Sequence, residues 1–167
     1  VYDQSTEEVS LISTCFSTHH LIFAEDENNT LWTSGGGQVI GWLNTRMYLE
    51  TGDEERSQGW SALIVDTNGN GRQDDYVEPG EPPDPTKDTR VRSGFYGVAV
   101  NPVDGTIWGS SLGFPGLVLR LDPGSNPPET ALTEVYELPY DNPAAPVQGY
   151  SPRGMDIDRN GVVWTPL

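Results

Sequence analysis

The chain has 167 residues, with 9 Lys and Arg against 25 Asp and Glu, a formal charge of −16 and a pI near 4.1. That balance excludes a nucleic-acid-binding surface, because neutralising phosphates takes a basic patch, and no apolar run approaches the roughly 18 residues of a membrane helix. Gly and Pro together supply about a fifth of the residues, against roughly 12% in an average protein, which favours many short elements joined by turns over a helical bundle.

Residues 1–18 read as a lead-in segment. They hold Cys15, the only cysteine, which forms no intrachain disulfide and holds no structural zinc without several His partners. A nucleophilic set built on Cys15 or Ser17 with a histidine is disfavoured, since a lone cysteine reads as inert packing. The only two histidines, His19 and His20, come next. Neighbours on a regular strand point to opposite faces, so the pair is not expected to chelate one metal jointly.

A first unit spans residues 19–65. Leu21-Ile22-Phe23-Ala24 and Thr30-Leu31-Trp32-Thr33 read as two strands joined by a turn at Asn28-Asn29, residues that tolerate positive φ. Gly35-Gly36-Gly37 lacks the lysine and helix of a phosphate loop. Gln38 to Asn44 reads as a third strand, Met47 to Glu55 as a short helical turn stopped near Gly52, and Trp60 to Val65 as a fourth strand.

Residues 66–93 carry the strongest chemical signal. In Asp66-Thr67-Asn68-Gly69-Asn70-Gly71-Arg72-Gln73-Asp74, the residues Asp66, Asn68 and Asn70 stand at the first, third and fifth positions of a calcium loop. Gly71 takes the sharp turn, the Arg72 carbonyl is a further donor, and Asp74 holds the ninth position, with Asp75 or Glu78 completing the shell. The twelfth position is Val77 where an EF-hand has Glu, and the flanks are a strand and a proline-rich segment from Pro79 to Pro85, so this is a loop decorating a β-protein and not a helix-flanked sensor. Two amides among the first three ligands imply a modest affinity, of about 10⁻⁴ to 10⁻³ M, and a structural role for Ca²⁺: fastening an acidic loop too poor in apolar residues to pack alone. A plain Asx-turn loop has the same composition.

The second unit covers residues 94–140. Gly97-Val98-Ala99-Val100 and Thr106-Ile107-Trp108-Gly109-Ser110 flank an Asp104-Gly105 turn, followed by Gly116 to Asp122 and Glu134 to Pro139 as third and fourth strands. Residues 141–167 comprise a linker and the start of a third unit, in which Met155-Asp156-Ile157 and Val162-Val163-Trp164 flank Asn160-Gly161. A tryptophan-bearing hairpin thus occurs three times, and four antiparallel strands per unit is the propeller blade. The expectation is an all-β, partial β-propeller of about two and a half four-stranded antiparallel blades, with the long acidic calcium-type loop inserted between blades; rings close with about four to eight blades. The remaining blades of the same protein or another chain are the expected partners.

The run from Gly154 to Trp164, with its cousin from Gly97 to Trp108, resembles the repeat of streptogramin B lyase-like and NHL-type propellers. The resemblance covers the three hairpins, and it implies a metal-assisted site with catalytic histidines at the start of inner strands. Counting back along each unit, the residues just before the inner strand are His20, Tyr96 and Arg153. Only His20 matches that placement. As a site, His20 is the acid or base, Arg153 the clamp for an anionic group, and Tyr96 a hydrogen-bond donor.

Two functions follow: a binding or scaffold module with a structural calcium loop, which is the preferred reading, and a lyase- or lactonase-like enzyme with a site at the channel mouth. The acidic excess, with Lys87 the only lysine, suits surroundings with salt or millimolar Ca²⁺, so an extracellular or periplasmic location is expected. The start at Val1 without an apolar leader reads as a processed or internal piece.

Overall fold

In a computed structural model that describes residues 1–35 and 37–167, the chain is mostly strands in several antiparallel sheets, with two short helices. Gly36, the middle of the triple glycine, lies outside the described residues. A small hairpin of β1 (Tyr2–Asp3) and β2 (Glu8–Val9) opens the chain. A four-stranded meander follows, β3 (Leu21–Phe23), β4 (Thr30–Thr33), β5 (Val39–Asn44) and β6 (Gln58–Ala62), in that spatial order. Between β5 and β6 lies α1 (Thr45–Thr51). The Asn44 side chain accepts the Met47 N–H at its start, and Gly52 ends it at φ 67°, a conformation costly for any residue with a Cβ.

The segment 66–93, expected as a loop, contributes to a second small sheet. There β7 (Ile64–Val65) is antiparallel to β9 (Asp88–Arg90), and β8 (Tyr76–Val77) is parallel to β9. Its anchors are Ile64 and Val77, both buried. The second meander is β10 (Val98–Val100), β11 (Ile107–Ser111), β12 (Leu117–Asp122) and β13 (Leu132–Glu137), with α2 (Pro127–Thr130) before its last strand. The hairpin β14 (Asp156–Ile157) and β15 (Val163–Trp164) completes the elements.

Each of the three matching hairpins is closed by an aspartate that gathers backbone N–H groups of its own turn. Asp26 takes those of Asn28 and Thr30, Asp104 that of Thr106, and Asp158 those of Asn160 and Val162. The tight reversals fall at Asn29, Gly105 and Gly161, all at positive φ.

Neighbouring residues of β12 point to opposite faces, and both Val118 and Leu119 are buried, so the second sheet is covered on both sides. One buried cluster joins Ala24, Trp32 and Ile40 of the first sheet to Val98, Ile107 and Leu119 of the second. The first strands of the units lie side by side, β10 between β3 and β14, while α2 packs on β6 and β13 on β7. First strands therefore meet first strands, and last strands meet the last elements of the neighbour.

The tryptophans hold one register position, Trp32 opposite Ile22, Trp108 opposite Ala99 and Trp164 opposite Asp156, but their surroundings differ. Trp32 is buried and 5.8 Å from the Trp42 ring, Trp108 stacks on Tyr136 at 5.5 Å, and Trp164 is 63% exposed. Among the described residues no further strand pairs with β15 on its other side, and this is why Trp164 is uncovered.

Candidate functional site

The start of the first strand of each unit is fixed by a bond that recurs from unit to unit. The backbone N–H of His19 donates to Ser34, that of Tyr96 to Ser110, and that of Arg153 to Pro166, each acceptor standing two residues beyond its tryptophan. By register, then, the equivalent residues are His19, Tyr96 and Arg153, while His20 matches Gly97 and Gly154. Counting along the sequence shifts the first unit by one place because the hairpin turns differ in length: seven residues separate the paired Phe23 and Leu31, six separate Val100 and Ile107.

His20 and Tyr96 are brought together. The His20 ring lies 4.8 Å from the Tyr96 ring, and His20 Nδ1 is 2.7 Å from the Tyr96 carbonyl oxygen. A carbonyl only accepts, so the proton of that bond sits on His20 Nδ1. Nδ1 of His19 faces the same atom at 2.8 Å as an acceptor. Sequence alternation puts these two histidines on opposite faces, but both precede β3, and their rings meet edge to face at 4.3 Å. Arg153 stands apart. Its side chain is exposed and makes no hydrogen bond or ion pair with another described residue, and it lines a hollow of about 460 Å³ with Gln148, Tyr150 and Leu167. The three residues expected at one mouth are thus a histidine–tyrosine pair and a separate arginine. Cys15, expected as packing, is exposed.

A larger cleft of about 750 Å³ lies between β3, β10 and β14, lined by Ile22, Val98, Val100 and Ile157 together with the charged Glu25, Asp26, Asp156 and Arg159. His19, His20 and Tyr96 do not line it, since they sit at the opposite ends of those strands.

The loop of Asp66 to Asp74 is curled on the Asp66 carboxylate. Asp66 Oδ1 accepts the N–H groups of Gly69 and Asn70, and its Oδ2 accepts that of Gly71. Asn68 and Asn70 each accept from the backbone two residues on, and both direct their amide nitrogens at Asp74 Oδ2. Those donors, Asn70 first and then Asn68, hold the Asp74 carboxyl below its ordinary range. To offer oxygens to a cation, both amides must turn over. Glu78 is engaged by Arg90 at 3.1 Å, which leaves Asp75 freer to complete a shell. Among the described residues no three carboxylate, histidine or cysteine groups are gathered as a metal-holding set.

Sequence reasoning missed three residues. Asp88, buried in β9, touches the loop through the Asp74 N–H, and nothing in its local sequence distinguishes it from the other acidic residues. Ser34 and Ser110, buried at unit boundaries, left a signal in the shared Trp-x-Ser spacing. Among the described residues no helix is long and apolar enough to cross a membrane. No family model, curated protein or solved structure matches the chain.

Proposed function

We propose that this chain is an arc of radially arranged blades that works outside the cell or in the periplasm as a binding or scaffold module, with Ca²⁺ fastening the 66–93 segment. The observation that carries the reading is a hydrogen bond repeated across successive boundaries. Ser34 Oγ donates to the Tyr96 carbonyl at 2.6 Å, and Ser110 Oγ donates to the Arg153 carbonyl one unit further on. Two boundaries built alike imply one rotation applied twice, and repeating it generates a ring with further blades from the same protein or another chain. The cleft between β3, β10 and β14 is the place for a small-molecule or peptide ligand, being concave, with apolar strand residues beside the charged Glu25, Asp26, Asp156 and Arg159.

Calcium belongs with this reading because the loop from Asp66 to Asp74 is pre-curled around its first carboxylate. The ligands are Asp66, Asn68, Asn70, the Arg72 carbonyl and Asp74, with Asp75 completing the shell. An affinity in the range of about 10⁻⁴ to 10⁻³ M requires the calcium of an extracellular fluid. A lyase- or lactonase-like site draws no comparable support, since Arg153 lines a hollow to which neither His20 nor Tyr96 contributes.

Two measurements test the proposal. Thermal unfolding followed by tryptophan fluorescence should shift upward with millimolar Ca²⁺ and return with a chelator. Backbone NMR during titration with a panel of peptides and oligosaccharides should move resonances of Val98, Val100 and Ile157. Identical melting with and without chelator discards the calcium role, and perturbations confined to other surfaces discard the cleft.

A further inference from the structure

Asp88 is the one Asp, Glu, Lys or Arg among the described residues that is fully buried, with 0% of its surface exposed. Its carboxylate has a single partner, the Asp74 N–H, which donates to Oδ2 at 2.8 Å; Oδ1 has none. No described arginine or lysine pairs with it; Arg90, two residues along the strand, bonds Glu78 and the Gln38 carbonyl through its terminal nitrogens, and its buried Nε is itself without a partner. An ionised carboxylate removed from water with one hydrogen bond is strongly unfavourable, and a neutral carboxyl needs an acceptor for its proton. Either way the group requires a partner beyond those the chain supplies.

Its position says where that partner sits. β9 runs parallel to β8, with Asp88 in register with Tyr76, and the Asp88 N–H donates to the Asp75 carbonyl at 3.0 Å. The carboxylate is thereby held against the ninth position of the curled loop, beside Asp74. We propose that Asp88 is a ligand of the cation in this loop, supplying Oδ1 from β9; the inference rests on the calcium reading above. It changes that reading in two ways. A further carboxylate raises the negative charge of an amide-rich site and so its affinity. The ion also fastens Asp66 to β9, adding to the β7–β9 pairing that already brings the two ends of the insertion together.

The test is calorimetric titration of CaCl₂ into the chelator-stripped chain, comparing the unaltered protein with Asp66→Ala and Asp88→Asn, with near-ultraviolet circular dichroism to verify the fold. The expected result is one site in the unaltered chain, lost in Asp66→Ala and weakened by roughly tenfold or more in Asp88→Asn. No binding by the unaltered chain overturns the calcium reading, and Asp88 with it. Unchanged binding by a folded Asp88→Asn, with Asp66→Ala impaired, overturns the Asp88 assignment alone. Carbon NMR of the aspartate carboxyls in the unaltered chain keeps the question decidable if Asp88→Asn fails to fold. The Asp88 carboxyl resonance should move together with that of Asp66 as calcium is added, and a stationary Asp88 resonance beside a moving Asp66 rejects the assignment.

Discussion

Ser110 does for Arg153 what Ser34 does for Tyr96: each hydroxyl, two residues past its tryptophan, donates to a backbone carbonyl at the start of the next unit. The two boundaries are not equally redundant. The Tyr96 carbonyl also accepts from His20 Nδ1, whereas Ser110 both donates to Arg153 and accepts the Gly97 N–H at 3.0 Å. Ser110→Ala should therefore cost about 1.5–3 kcal/mol, and Ser34→Ala about 0.5–1.5 kcal/mol, because only the former leaves a buried backbone group, the Gly97 N–H, without its partner. Urea denaturation of the two variants decides this, and equal losses would show that the serines are not the boundary bonds described.

Gly97 sits where this second boundary is tightest. A Cβ added there would stand 2.6 Å from the Arg153 carbonyl and 2.8 Å from Ser110 Oγ, so the third hairpin has to move away. Gly97→Ala should destabilise by about 1–3 kcal/mol and should raise the hydrogen-exchange rate of the Ile157 and Val163 amides more than that of Ile40. Uniform loosening of both sheets would count against a local boundary effect.

Calcium dependence should be confined to variants of the loop. Asp66→Ala removes the acceptor of three backbone N–H groups as well as the first ligand, so it should lower the melting temperature in calcium to near the chelated value. His20→Ala should leave the calcium-induced shift intact. Loss of the shift in His20→Ala would mean that the ion acts elsewhere in the chain.

Acid should weaken the hairpin turns. Asp158 lies below the ordinary aspartate value of 3.8 because the Val162 and Asn160 N–H groups bond its charged form. For Asp104 burial works upward, but the Thr106 hydrogen bonds and Arg120 outweigh it and hold it low. A carboxyl with a depressed folded value contributes its full stabilisation above the unfolded value and loses it as pH falls through the folded one. The difference in denaturation midpoint between about pH 6 and about pH 3 should shrink in Asp158→Asn and Asp104→Asn relative to the unaltered chain. An unchanged difference in both would remove these turns as contributors to acid sensitivity.

By itself the sequence determined the local pieces: the hairpins around Asn29, Gly105 and Gly161, the helix ending at Gly52 and the antiparallel run of strands in each unit, although the expected fourth strand from Trp60 to Val65 divides at Leu63, its end pairing as β7 with β9. Each depends on residues close together in the chain, where turn chemistry, alternation and N–H-gathering aspartates act at short range. Only the tertiary structure decided which residues meet. It turned His19 onto His20, paired His20 with Tyr96 and left Arg153 apart from both, because register depends on the length of each turn and a one-residue difference moves every later neighbour. It also buried Asp88 against the loop and drew β8 and β9 into a sheet. Whether a polar group is enclosed, and beside what, depends on packing between distant segments, which no local pattern records.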